Sequence, residues 1–133
     1  MALPRTEDIY LPFLQVLREH GQLALREVRD ELAAQLHLSE EELNEPTLAG
    51  KGLRFPTHVG WASTDLFKAG LVYRPQYGRY ALTEEGERLL DSSIDRVDIN
   101  TLLRYESFVE WRHTLTGKDV APADPAEAAS DSD

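Results

Sequence analysis

The sequence lacks cysteine, and it also lacks any long apolar run. Without cysteine, the chain has no disulfides, thiolate nucleophiles or cysteine-ligated zinc sites. No segment approaches the roughly 20 consecutive apolar residues that span a bilayer. Residues Met1–Tyr10 include Arg5, Glu7 and Asp8, so they do not form the apolar core of a signal peptide. We therefore expect a cytoplasmic location and no membrane partner.

Patterns that carry catalysis are also missing. The four histidines, at positions 20, 37, 58 and 113, include no pair spaced four apart as in a helical metal site. There is no G-x-S-x-G nucleophile motif and no glycine-rich phosphate loop. We expect this chain to have no catalytic residues, metal site or cofactor, and not to be an enzyme.

The charge distribution carries more information than the total. The 133 residues match the length of one domain, with 41% hydrophobic and 29% charged residues, as in globular proteins. The net charge of −10 argues against a nucleic-acid partner if it is spread evenly. However, residues 54–83 contain Arg54, Lys68, Arg74 and Arg79 but only one acid, Asp65. We call residues 54–83 the basic segment, because every other part of the chain is acidic.

Two regions are expected to differ in order. Residues 118–133 (KDVAPADPAEAASDSD) contain one large apolar residue, Val120, which is too little to offset the entropy of ordering. We therefore predict a disordered acidic tail or linker there, which would compete with phosphate for the basic segment at low salt. The domain itself is predicted to span residues 5–117.

The hydrophobic spacing predicts a mainly α fold with a short β-hairpin. Helices are expected at 12–20, at 25–36, briefly after a capping box of Ser39 and Glu42, at 56–68 and at 98–115. Residues 71–74 and 79–82 read as strands joined by the turn 75–78, and Thr83 as the cap of the next helix. This order is typical of a winged helix-turn-helix with an extra C-terminal helix, in which the helix before the hairpin enters the major groove of DNA.

Residues of this region also carry a family resemblance. They are Arg54-Phe55, Val59, Trp61-Ala62, Leu66, Lys68-Ala69-Gly70-Leu71, Arg74, Gly78, Tyr80, Leu82-Thr83 and Gly86. Over roughly residues 9–90 the sequence resembles the N-terminal domain of Mrr-type restriction endonucleases. The segment from Tyr105 to Arg112 resembles the part that follows in those proteins. The resemblance implies a DNA-binding specificity module that precedes a nuclease domain acting on modified foreign DNA.

The nuclease motif of those enzymes is not present in this sequence. It requires a lysine two residues after an acid or glutamine, but Ala49, Leu66 and Thr116 stand two residues before the three lysines. We therefore expect a module of a restriction system that binds double-stranded DNA and has no active site of its own. The bases of this DNA are either unmodified or methylated or otherwise modified. The alternative is a winged-helix module for protein interaction, dimerisation or transcriptional regulation, since fold alone does not establish function.

The DNA contacts are expected on the fourth helix and the hairpin. Candidate residues are Arg54, Thr57, His58, Ser63, Thr64, Lys68, Arg74, Gln76, Tyr77 and Arg79. For each, the alternative is an exposed polar residue without a partner. Trp61 falls outside the apolar stripe of Phe55, Val59, Ala62 and Leu66. We expect it to cover the loop 47–53 or the first helix, with base stacking or an interface as the alternative.

The last predicted helix has two apolar faces. Ile99, Leu102, Leu103 and Val109 form one, whereas Phe108, Trp111 and Leu115 form the other. Because a helix at the edge of a small domain needs only one, the second is a candidate interface with a homodimer mate or a downstream nuclease domain. The alternative is that nearby loops cover it.

Overall fold

The computed structural model describes residues 4–47 and 52–114. The elements in this part of the chain are α1 (Thr6–His20), β1 (Gln22–Ala24), α2 (Leu25–Gln35), α3 (Glu40–Leu43), α4 (Arg54–Lys68), β2 (Val72–Tyr73), β3 (Arg79–Leu82), α5 (Glu84–Asp91), α6 (Ile99–Leu102) and α7 (Glu106–Thr114). The chain is mainly α-helical with one small antiparallel sheet, as the sequence predicts. None of the helices in the described ranges is both long and apolar enough to cross a bilayer.

Helix α1 starts earlier than expected. It ends at the predicted residue, His20, followed by Gly21 with φ of 88°. However, Pro12 lies inside the helix rather than in its first turn. Upstream of it, Ile9 and Tyr10 are almost completely buried. Their burial explains why the helix extends through a proline, which removes one backbone hydrogen bond.

The sheet contains a strand that the sequence did not predict. The order is β1-β3-β2, with β1 antiparallel to β3 and β3 antiparallel to β2. Strand β1 has only three residues, so it carries no alternating pattern that sequence analysis can recognise. It anchors the hairpin of β2 and β3 beside α1 and α2. Helices followed by a hairpin in this sheet order form a winged helix-turn-helix.

Local signals predicted the middle of the chain well. Helix α2, the capping box of Ser39 and Glu42, and the Thr83 cap of α5 are all confirmed. Helix α4 begins two residues early, at Arg54, but it buries the predicted stripe of Phe55, Val59, Ala62 and Leu66. The face of α4 opposite this stripe points away from the core.

The predicted helix at residues 98–115 is wrong as a single element. Two short helices, α6 and α7, occupy the described part of this range, with turns at residues 103–105. On one straight helix Leu102 and Phe108 would point roughly 120° apart. The break allows both side chains to be fully buried in the same core. Tertiary packing therefore accounts for Phe108, one of the three residues of the second predicted apolar face.

The predicted acidic tail, residues 118–133, lies outside the described residues, as do the central residues 48–51 of the predicted loop.

Candidate nucleic-acid interface

The only acid of the basic segment, Asp65, is partly buried and hydrogen-bonded to α1. The Tyr10 hydroxyl on α1 donates a hydrogen bond of 2.5 Å to Oδ2 of Asp65 on α4. Burial raises the pKa of Asp65 to about 6, against the opposing effects of the Tyr10 hydrogen bond and the Arg112 charge. Because Asp65 is turned toward α1, its carboxylate does not lie among the exposed cations of α4 and the hairpin.

Arg74, at the start of the hairpin turn, is exposed, and its guanidinium lies over two aromatic rings. Its Cζ lies 4.3 Å from the centroid of the Phe67 ring and 5.4 Å from that of Tyr80. Within residues 4–47 and 52–114, none of the ion pairs involves Arg74. Cation–π contacts orient the side chain without neutralising it. Arg74 is therefore an exposed cation that no carboxylate of the described residues neutralises.

Lys68, the last residue of α4, is held in a similar way. Its Nζ lies 5.8 Å from the centroid of Phe67 and 5.9 Å from that of Trp111. The Ser107 hydroxyl donates a hydrogen bond of 2.7 Å to the Lys68 carbonyl, which ties α7 to the end of α4. In the described part of the chain, Lys68 also forms no ion pair. Together, Lys68 and Arg74 place two unneutralised cations beside the ring of Phe67.

The other two predicted cations are already engaged within the protein. Arg54 lies 3.2 Å from a carboxylate oxygen of Glu45. Arg79 donates a hydrogen bond of 2.7 Å to the Gln22 side chain and lies 3.9 Å from Glu27. Exposed ion pairs contribute only about 0–1 kcal/mol, so a phosphate can replace them. These two arginines are weaker candidates than Lys68 and Arg74.

The small polar residues of α4 use their hydroxyls within the helix. Thr57 donates to the Leu53 carbonyl at 2.7 Å, and Thr64 donates to the Gly60 carbonyl at 3.3 Å. Ser63 donates to the same Gly60 carbonyl and is only 2% exposed. Ser63 is therefore not available to an external partner, and the predicted contact of Ser63 with DNA is wrong. The sequence missed this because Ser63 borders the apolar stripe of α4 and is small enough to fit in the core.

His58 and the hairpin tip complete the predicted set. The Nδ1 atom of His58 lies 3.0 Å from the Pro4 carbonyl, so the ring is turned toward the start of α1. Gln76 is exposed, and Tyr77 is 92% exposed beside Gly78, whose φ is 76°. A positive φ favours glycine and turns the chain back sharply. The tip therefore projects its side chains away from the domain.

Trp61 lies on the outward side of α4 and is 36% exposed. Its ring centroid is 5.9 Å from that of His58. Most of the loop that Trp61 was expected to cover lies outside the described residues. Because the side chain of Trp61 is 36% exposed, the first helix does not cover it completely. The sequence predicted the outward position of Trp61, because on a helical wheel this residue lies far from the core stripe.

The predicted partner interface is only partly available. Phe108 is completely buried, so its assignment to an external interface is wrong. Leu115 lies outside the described residues. Trp111 is partly exposed, and it lines an open groove with Phe67, Lys68, Gly70, Ser107, Glu110 and Thr114.

No group of three or more histidine, aspartate or glutamate side chains is arranged for metal binding within residues 4–47 and 52–114. A family model described as the Mrr N-terminal domain matches residues 7–92, which run from α1 to just past α5. It describes an N-terminal domain and not a catalytic one. Helices α6 and α7 lie beyond the match. No curated protein and no solved structure gives a significant match.

Proposed function

This chain belongs to the Mrr N-terminal domain family, and we propose that it is the double-stranded DNA-binding specificity module of a restriction system. The proposal places the outward face of α4 in the major groove and the β2–β3 hairpin against the neighbouring backbone. Helix α4 has 15 residues and is therefore about 22 Å long, enough to follow the groove.

The observation that carries the proposal is the inward position of Asp65. With its carboxylate turned to Tyr10, the exposed charges of residues 54–83 are positive, although the whole chain has a net charge of −10. Lys68 and Arg74 are the strongest phosphate contacts, because neither forms an ion pair in the described residues. Phosphate binding by such residues releases counterions and is therefore salt-dependent.

The proposed role is binding without cleavage. None of the three lysines has the acid or glutamine two residues before it that the nuclease motif requires. In this proposal, the nuclease is a further domain or a separate partner that this module brings to DNA. A preference for methylated bases is an additional outcome that the binding experiment can measure.

A titration of fluorescently labelled duplex DNA with the full chain, at two salt concentrations, tests the proposal. We expect wild-type binding to weaken steeply with salt, and the double variant Lys68→Gln/Arg74→Gln to lower the slope of log K against log salt by about 2. The matched control is Arg88→Gln/Arg96→Gln, which removes two exposed arginines outside the basic segment. No binding at low salt, or equal slopes in both variants, would overturn the proposal. Methylated and unmethylated duplexes are compared in the same titration.

One observation favours a second function, protein interaction. The open groove beside Trp111 combines the aromatic rings of Phe67 and Trp111 with the charges of Lys68 and Glu110. Mixed apolar and charged surfaces of this kind occur at interfaces. If the groove joins two copies, light scattering of the full chain will show a dimer that Trp111→Glu dissociates. A monomer at every concentration excludes a homodimer, and a heteromeric partner such as the nuclease domain is then the remaining form of this alternative.

A further inference from the structure

We infer that Trp61 is the residue of α4 that contacts base edges and sets the sequence preference of the module. This inference rests on the proposed DNA-binding function and names the specificity residue of that same surface. Phosphate contacts hold a protein on DNA, whereas contacts to base edges distinguish sequences.

Trp61 occupies the middle of the face that α4 turns away from the core. Residues three or four positions apart share a helix face, so Thr57 and Thr64 flank Trp61, and Lys68 lies one turn further on. The core stripe of α4 is 0–2% exposed, whereas Trp61 is 36% exposed. A helix that enters the major groove would therefore present the indole ring near its centre.

The indole ring is positioned before any ligand arrives. Its centroid lies 5.9 Å from that of His58, and the Nδ1 atom of His58 lies 3.0 Å from the Pro4 carbonyl. A pre-positioned side chain loses less conformational entropy on binding than a free one.

Other polar groups on this face are less suited to reading bases. The Thr57 and Thr64 hydroxyls already donate to backbone carbonyls of the helix. In the described residues, no hydrogen bond engages the Trp61 indole N–H, which can only donate. Guanine presents the acceptors O6 and N7 in the major groove, and pyrimidines present an apolar 5-position. These base edges are the chemical class that Trp61 fits.

The experiment is a selection of bound duplexes from a randomised DNA library, made in parallel with wild type and Trp61→Ala. We expect wild type to enrich a motif, and Trp61→Ala to lose discrimination at one or two adjacent base pairs by roughly tenfold. Its salt slope should remain that of wild type, because no phosphate contact is removed. Trp61→Phe keeps a ring without the N–H and should recover part of the preference.

Leu103→Ala is the control, since it removes a large apolar side chain that is 43% exposed and lies outside the basic segment and outside the residues assigned to DNA. Thermal unfolding verifies that each variant is folded, and Trp61→Gln replaces the alanine variant if that one is not. The same motif enriched by wild type and Trp61→Ala overturns the inference but leaves the DNA-binding function intact. So does wild-type binding without sequence preference. Failure of wild type to bind DNA overturns the function as well. A change in oligomeric state caused by Trp61→Ala would instead assign Trp61 to a protein interface.

Discussion

The Tyr10 hydroxyl donates a hydrogen bond of 2.5 Å to Asp65, and this bond joins the first helix to the proposed DNA-binding helix. Tyr10 is only 1% exposed and Asp65 is partly buried, so the hydrogen bond lies between α1 and α4. Burial penalises the charged form of each group and raises both pKa values, that of Tyr10 far above its usual range. The pair therefore links stability to pH while it removes a negative charge from the interface.

We predict that Asp65 makes the protein less stable as the pH rises from 4 to 7. The pKa of Asp65 is about 6 in the folded chain and 3.8 without the fold, so the folded state binds more protons between these values. The stabilising contribution is complete below pH 4, is lost as the pH rises through 6, and amounts to about 3 kcal/mol. Urea unfolding of wild type and Asp65→Asn at several pH values measures this contribution. The free energy of unfolding of wild type minus that of Asp65→Asn should fall as the pH rises.

A difference between wild type and Asp65→Asn that stays constant with pH would contradict this prediction. NMR titration of the Asp65 carboxyl provides a direct control. Replacing Tyr10 by phenylalanine removes a hydrogen bond that favours the charged carboxylate. The pKa of Asp65 should therefore rise further in Tyr10→Phe.

Gly86 should not tolerate a side chain. A Cβ atom at this position would lie 2.3 Å from the Leu71 carbonyl oxygen and 3.0 Å from a methyl group of Leu82. Because the first of these is backbone, Gly86→Ala must separate α5 from the start of the hairpin, and overpacking of this kind costs about 1–3 kcal/mol or more. The matched control is Gly60→Ala, which has open space and gains about 1 kcal/mol of helix propensity. Equal melting temperatures of the two variants would contradict the prediction.

Thr83 joins the same helix to the end of α4. Its hydroxyl oxygen accepts a hydrogen bond from the Gly86 amide at 3.0 Å and donates one to the Gly70 carbonyl at 2.7 Å. Thr83→Val keeps the shape but loses both bonds, and should lower the free energy of unfolding by about 1–2 kcal/mol. Thr83→Ser retains the hydroxyl and should cost less. Denaturant unfolding of the three proteins gives the comparison, and equal losses in both variants would refute it.

Phe108 should behave as a core residue and not as an interface residue. It is completely buried, and its ring centroid lies 5.8 Å from that of Trp111. We predict that Phe108→Ala lowers the free energy of unfolding by about 3–5 kcal/mol. Leu103→Ala, at a position that is 43% exposed in the preceding turn, is the control and should cost much less. An unchanged stability with an altered oligomeric state would return Phe108 to an external interface.

These cases show which parts of the fold the sequence could predict. The cap of Ser39, the cap of Thr83 and the stripe of α4 depend on residues close in the chain, and they were predicted correctly. Strand β1 depends on pairing with Arg79–Ala81, more than fifty residues away, and it was missed. The break between α6 and α7 has the same origin, because a distant core selects it over the continuous helix that local spacing favours.

In the candidate site, too, features that depend on residue type could be predicted, whereas features that depend on distant contacts could not. The position of the basic segment was visible in the sequence, because it depends only on residue type. Which cations are neutralised was not, since Arg54 meets Glu45 and Arg79 meets Glu27 only in the folded chain. The burial of Ser63 also required the fold.

The contrast between Arg74 and Arg79 tests whether intramolecular partners weaken a phosphate contact. Arg74 rests on the rings of Phe67 and Tyr80 without a carboxylate, whereas Arg79 must release Gln22 and Glu27 before it binds phosphate. We predict that Arg74→Gln reduces the magnitude of the salt slope of duplex binding by about 0.9, and that Arg79→Gln reduces it less.

The same two variants should differ in stability in the opposite order. Arg79→Gln loses the side-chain hydrogen bonds from Arg79 on β3 to Gln22 on β1, so its melting temperature should fall below that of Arg74→Gln. Salt-dependent anisotropy titrations and thermal unfolding of the same samples measure both quantities. If Arg79→Gln flattened the salt slope as much as Arg74→Gln did, the ion pair with Glu27 would not restrain Arg79, and the hairpin would contact phosphate equally along β3 and at the start of the turn.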